Sequence, residues 1–366
     1  MSITEVLVQP QAITWLPWAV QYFFYIGSAY AAAILFLLAL LFDAKTSHRV
    51  RSALVLTLAI SAIVGPLALT ADLHQPGRAW HFYTNLTPWS WMSLGSLFLP
   101  LFSGLSVLTA WLYLRQDLMN LEQQPGKVNA LLAKLSLGRW VTSHKMMLSV
   151  SIATVLSGLS IALYTGAEIA VVQSRSLWNQ PESPLIWFVT AFLGAVGFAL
   201  FIWLLMPNKS QGLSTVDTRL LRQAISISAL LALLLVPVWA SNNASFDLYS
   251  DPIWLRHIVV MASLLVACAV IPRFVLRDGK KNLIGIGLLS ATTLITAWVI
   301  RWNTIMEVQT IAKFDVGPYP YHLPTDSNGL LGIVGMFGLW IALALLSSEL
   351  IGPNRNTSSF SPVTKH

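Results

Sequence analysis

Nine long apolar windows constrain this chain more than any motif does. They lie near residues 15–42, 52–71, 89–114, 146–172, 184–206, 223–240, 254–272, 282–300 and 329–350, each bounded by charge, proline or a polar cluster. A helix crossing the ~30 Å hydrocarbon layer needs roughly 20 apolar residues, and nine such windows predict an all-α polytopic membrane protein with about nine transmembrane helices. Pro237 interrupts the sixth window, and the eighth leaves open whether its helix runs on through Arg301, so the count spans eight to ten. Composition agrees: 55% of residues are hydrophobic and 10% charged, against about 25% charged in a soluble domain. That balance excludes a disordered, collagen-like or disulfide-rich secreted chain. The first window has no Lys or Arg before it and outruns the ~7–15 apolar residues of a signal peptide, so a retained helix is expected.

Charge predicts orientation. Lys and Arg in short loops stay on the cytoplasmic side, and 17 of the 22 fall in segments on one side of the spans. Arg78, Arg175, Arg256, Arg301 and Lys313 make up the other side. The alternation predicts an N-terminus outside and a C-terminus inside. The basic residues are scattered over five inner segments with no aromatic-interleaved patch, which speaks against a nucleic-acid partner.

A faint repeat pairs Trp18–Phe23 with Trp187–Phe192 and Pro66 with Pro237. Two four-helix bundles plus one extra helix would account for it. The expected division is 1–172, a first bundle carrying the site; 173–301, a second bundle; 302–351, an outer loop and ninth helix; and 352–366, a disordered inner tail rich in Ser, Asn and Thr.

The chemistry is concentrated on the predicted outer side. Cys268 is the single cysteine, which excludes an internal disulfide and a cysteine-held iron–sulfur cluster or zinc. None of the seven histidines falls mid-span, as a bis-histidine haem would require, and Asp72, His74 and His81 show no recognised metal spacing. Neither haem nor metal is expected. Asp72, His74, Arg78, Tyr164 and Glu168 all fall at outer span ends. Charged groups there pair or line a wet cavity because hydrocarbon penalises them. Two readings stand: an Asp72–Arg78 pair with interfacial caps, or one pocket joining acid, imidazole, phenol and guanidinium. Trp89 and Trp91 likewise read as an interfacial belt, as the wall of an amphiphile's site, or as a docking surface. Polar groups at the outer edge rather than mid-membrane argue against a transporter.

These residues carry a resemblance. Trp15–Phe24, Pro66–Gln75 with Trp80–Tyr83, Thr87–Met92, and Arg301–Phe314 leading into the last helix resemble the NrfD/polysulfide reductase membrane-subunit family, most closely its tetrathionate-reductase branch. The similarity covers about Glu5 to Leu346. It implies a multi-pass, haem-free, quinol-oxidising anchor in the bacterial inner membrane, N-terminus periplasmic. Its substrate would be a quinol, menaquinol by the resemblance. Its partners would be a periplasmic iron–sulfur subunit and a molybdopterin catalytic subunit. Other acceptors of that family, polysulfide or thiosulfate, and an inert anchor remain alternatives.

By resemblance Tyr164 matches the family's quinone-contacting tyrosine. The first-helix position that is His in polysulfide reductase is Tyr22 here, and a nearby Asn position is Ala19. Tyr22 can donate a hydrogen bond, but a phenol titrating near ~10 accepts protons poorly at neutral pH. The expected site is therefore His74, Asp72 and Glu168 as proton acceptors and relays, with Tyr164, Tyr22, Arg78, Trp89 and Trp91 holding the head group. An inward proton path is not expected, because the inner halves of the spans read as poor in ionisable groups.

Overall fold

The computed structural model describes residues 13–42, 45–73, 75–123, 125–207, 212–242, 246–277, 282–311 and 321–349. His74, Lys313 and the 352–366 tail lie outside them.

Among the described residues there are nine helices long and apolar enough to cross a membrane and no extended strand. They are α1 (Pro17–Leu41), α2 (His48–Asp72), α3 (Trp91–Asn120), α4 (His144–Ala170), α5 (Glu182–Leu205), α6 (Thr215–Ser241), α7 (Pro252–Val270), α8 (Leu283–Trp302) and α9 (Leu330–Ser348). In lipid every backbone group must be satisfied within the segment, and a helix does this.

The helix starts are written locally. Pro17 sits in the first turn of α1, where its missing N–H costs nothing. Ser47, Ser90 and Ser143 accept backbone N–H bonds at the starts of α2, α3 and α4. Ser214 and Asp217 form a reciprocal capping box on α6. The fully buried Asp217 also accepts the Ser47 N–H at 3.0 Å, tying the start of α6 to that of α2.

α1 through α4 pack in sequence, with α1 closing against α4, and α5 through α8 do the same. α1 also packs against α5, and α9 lies against α2, α1 and α5. Over their most apolar stretches α1, α2 and α5 are 78%, 72% and 72% buried, while α9 is 22% buried. The first group forms the centre, and α9 turns most of its apolar surface outward.

Two points left by the sequence are decided here. Arg301, left open at the end of the eighth window, is helical. α8 continues past it through a π-helical turn, Asn303–Glu307, to Thr310, and Arg301 is 1% exposed. A buried guanidinium survives where each nitrogen finds an acceptor. Here Nε donates to Phe23 O at 3.1 Å, Nη1 to Thr190 Oγ1 at 3.0 Å, and Nη2 to Trp187 O at 3.0 Å. Gly27 leaves it room, since a Cβ there would come within 2.9 Å of Nη2. Hydropathy alone ended the window at this charge.

One expectation fails, at the opposite end of the bundle. α2 begins at His48 and α3 runs to Asn120, beyond their apolar windows, and both bury ionisable groups. His48 Nδ1 lies 2.9 Å from Tyr113 Oη, and its Nε2 lies 3.2 Å from Asp117 Oδ2. Arg51 and Arg115 are buried nearby in sequence, Arg115 donating from Nε to Ser136 O at 2.7 Å. The basic ends of these spans are therefore rich, not poor, in buried ionisable groups.

Candidate functional site

Tyr164 and Glu168 stand one turn apart on α4, so their side chains share one face. Both line a cavity of ≈ 320 Å³ enclosed by α2, α3, α4 and the segment that follows α2. From α2 come Ala62, Ile63, Pro66, Leu69 and Thr70; from α3, Met92, Gly95, Ser96, Leu99, Pro100 and Ser103. Ala79, Phe82 and Tyr83 cover the end near Asp72.

Gly95 sets the position of Tyr164, because a Cβ on Gly95 would collide with the hydroxyl-bearing edge of that ring. Behind Tyr164, on α1, the fully buried Tyr22 brings its hydroxyl beside the Tyr164 hydroxyl, which in turn approaches Glu168. Proximity does not become regular bonding: Tyr22 Oη and Glu168 Oε2 are buried without a hydrogen bond of ordinary geometry among the described residues. An unsatisfied buried polar atom costs about 1–3 kcal/mol. Of the two, Glu168 lines the cavity, and its free oxygen fits a site shaped for a ligand that brings its own donor, such as a ring bearing a hydroxyl.

Asp72 lies at the same end. Its Oδ1 accepts the Leu16 N–H at 3.3 Å, joining the end of α2 to the entry of α1, and its charge is felt at Glu168. The structure thus brings together Tyr22, Tyr164, Glu168 and Asp72.

Other expected residues lie elsewhere. Arg78, in the turn Pro76–Arg78, is exposed, forms no ion pair among the described residues and does not line the cavity. Trp89 is 84% exposed, and the half-buried Trp91 packs on the core as the first residue of α3. The dense Thr87–Met92 run has a local explanation: Ser90 caps α3, and Ser93 Oγ accepts the Thr87 N–H at 2.9 Å. From this run Met92 reaches the cavity. Gly95, Ser96 and Ser103 carry no chemical signal in an apolar run. Their one trace is small or hydroxylated residues recurring near Pro100.

The segments that carried the family likeness also meet in space. Gln309 Oε1 accepts the backbone N–H groups of Thr14 and Trp15 at 3.1 and 2.9 Å, and its Nε2 donates to Trp15 O at 3.0 Å. Trp15 stacks on Trp178, whose Nε1 donates to Thr304 O at 2.6 Å. Residues 5–312 match the model of the family described as polysulphide reductase, NrfD. The chain belongs to the NrfD family of membrane subunits. This NrfD chain is 34% identical over 361 residues to a tetrathionate reductase subunit of Salmonella typhimurium, with 96% of each covered. It is also 23% identical to a selenate reductase subunit of Mesobacillus selenatarsenatis, over 92% of this chain and 85% of that relative. The match to the family spans α1 through α8 and so includes every wall of the cavity.

Proposed function

We propose that this chain is the quinol-oxidising membrane anchor of a tetrathionate reductase, with menaquinol as its substrate. It holds an iron–sulfur subunit and a molybdopterin subunit on the periplasmic face of a bacterial inner membrane. The observation that carries this reading is the buried Tyr22–Tyr164–Glu168 series at one end of a mainly apolar cavity between membrane spans. The 34% identity to the Salmonella tetrathionate reductase protein supports the choice of complex.

A bound quinol supplies two electrons and two protons. Glu168 is placed to accept a proton from a ring hydroxyl, and the Tyr164 hydroxyl to hold the same oxygen in position. Tyr22 supports Tyr164 from behind. Asp72, within electrostatic reach of Glu168, relays the proton toward the chain's surface, and His74 two residues on takes the second. Arg78, exposed in the turn six residues beyond Asp72 and outside the cavity lining, adds positive charge at the chain's surface after α2. Phe82, Tyr83 and Met92 exclude water and so strengthen these interactions.

Electrons leave to the nearest cluster of the iron–sulfur partner. That partner covers the segment after α2, where Trp80, Tyr83, Leu86 and Trp89 are exposed, 58%, 54%, 48% and 84% respectively. Trp89 and Trp91 serve this interface and its helix start. With this end outward, as the charge distribution predicts, both protons are released to the periplasm.

The test is quinol-dependent tetrathionate reduction by the assembled complex. Tyr164→Phe combined with Glu168→Gln abolishes turnover at unchanged membrane levels. Near-normal turnover in that variant contradicts the assignment.

A further inference from the structure

The cavity is longer than a head-group site needs, and its two ends differ in chemistry. Along α2 its lining runs from Leu73 to Ala62, and along α3 from Met92 to Ser103. At 1.5 Å per residue each wall is about 16 Å long. Tyr164 and Glu168 lie toward the Asp72 end, with Tyr164 against Gly95, one turn into α3. Beyond Gly95 the walls are Leu99, Pro100, Ile63, Pro66 and Ala62, and nothing charged joins them.

A specific contact ends this apolar half. Pro66 lacks an N–H, so the carbonyl of Ala62, four residues earlier, loses its intrahelical donor. In hydrocarbon an orphaned carbonyl costs several kcal/mol. Ser103 Oγ on α3 donates to Ala62 O at 2.8 Å. The proline that breaks the ladder of α2 thereby creates an acceptor that pins α2 to α3, and the cavity lies on the Asp72 side of that pin. Just above it Ile63 is 41% exposed and Pro100 is exposed as well, so both edges of the cleft reach the surface that faces lipid.

We propose that the apolar half is a channel for the first part of a polyprenyl tail, with the Ser103–Ala62 bond as its floor and the Ile63–Pro100 gap as its exit into the bilayer. This rests on the quinol reading above and adds direction: the head points toward Asp72, and the tail runs inward along α2 and α3 before leaving sideways. Ser103 sets how far the tail descends. It is a positioning residue, acting through the separation of two helices.

The test uses the full chain within its assembled complex in lipid nanodiscs. Two photoreactive naphthoquinones are compared, one with a diazirine on the ring and one with it on the first prenyl unit, and labelled peptides are read by mass spectrometry. The ring probe is expected to label the peptide holding Tyr164 and Glu168. The tail probe should label residues 62–66 and 99–103. Ser103→Leu, which fills the floor, should weaken tail labelling about tenfold, equivalent to excluding roughly two methylene groups, and leave labelling by a tail-less ring probe unchanged. Ser103→Thr keeps the hydroxyl and should label as wild type, which controls for misfolding. Tail labelling confined to residues 79–92, or a tail signal indifferent to Ser103→Leu in a complex that still takes the ring probe, overturns the channel alone. Absence of ring labelling at Tyr164 and Glu168 overturns the quinol reading with it.

Discussion

The two sets of four spans treat the same end of the bundle in opposite ways. In the first, α2 and α3 part around a cavity, and buried oxygens of Tyr22 and Glu168 are left without regular partners. In the second, the comparable end is filled. Trp239 on α6 and Trp254 on α7 are 0% and 1% exposed. Trp239 Nε1 donates to Leu177 O at 2.9 Å and to Ser183 Oγ at 3.1 Å, and Gln180 Nε2 donates to Trp239 O at 3.3 Å. Both α2 and α6 carry a proline within the helix, Pro66 and Pro237. A helix break is thus compatible with either outcome. In the second set the bulk of Trp239 and Trp254 fills the space that the first set leaves open.

This contrast can be broken by substitution. The largest effect is expected at Glu168. Glu168→Gln keeps the shape and removes the proposed proton acceptor, and quinol oxidation should fall by about 10²-fold or more, measured as quinol-dependent turnover per assembled complex. Next comes Gly95→Ala. Its methyl collides with the Tyr164 ring, and overpacking of this kind costs about 1–3 kcal/mol. Turnover should drop about tenfold with the complex still assembled; unchanged turnover would remove Tyr164 from the site.

The plugged half should respond in stability instead. Trp239→Ala deletes a buried side chain and is expected to destabilise by about 3–5 kcal/mol, seen as a lower midpoint of thermal unfolding in detergent. Turnover per folded complex should stay at the wild-type level. A selective loss of turnover there would mean that the two halves do not divide the work as described. The smallest effect on quinol chemistry is expected from Trp89→Ala. This exposed side chain lies outside the cavity, so the Michaelis constant for quinol should not move, while retention of the outer subunits during purification weakens.

Much of this is legible in the amino-acid order, and the failures have physical causes. All nine windows become helices because lipid leaves no alternative for the backbone. Their limits slip where polar residues are helical. Hydropathy starts the sixth window at 223, but the Ser214–Asp217 capping box starts α6 at Thr215. The eighth window ends before Arg301 because hydropathy counts a charge as an exit, whereas carbonyls of α1 and α5 receive the guanidinium inside the bundle. At the site, Tyr164 and Glu168 are visible from their spacing and chemistry. Gly95 and Ser103 are not, because a missing side chain and a cross-helix hydroxyl acquire meaning only once the neighbouring helix is in place. Arg78 and Trp89 look functional from sequence because charge and aromatic density near a membrane edge draw attention, yet neither lines the cavity.

If electrons enter the complex at the Tyr164–Glu168 end of this cavity, quinol-driven cluster reduction depends on those two side chains and reduction by other donors does not. In the assembled complex, reduction of the iron–sulfur clusters of the proposed partner is followed optically after addition of a quinol or, separately, of a small water-soluble reductant. Tyr164→Phe with Glu168→Gln is expected to leave reduction by the soluble reductant at the wild-type rate and to remove reduction by quinol. Equal rates of quinol-driven cluster reduction in wild type and variant would contradict this entry point.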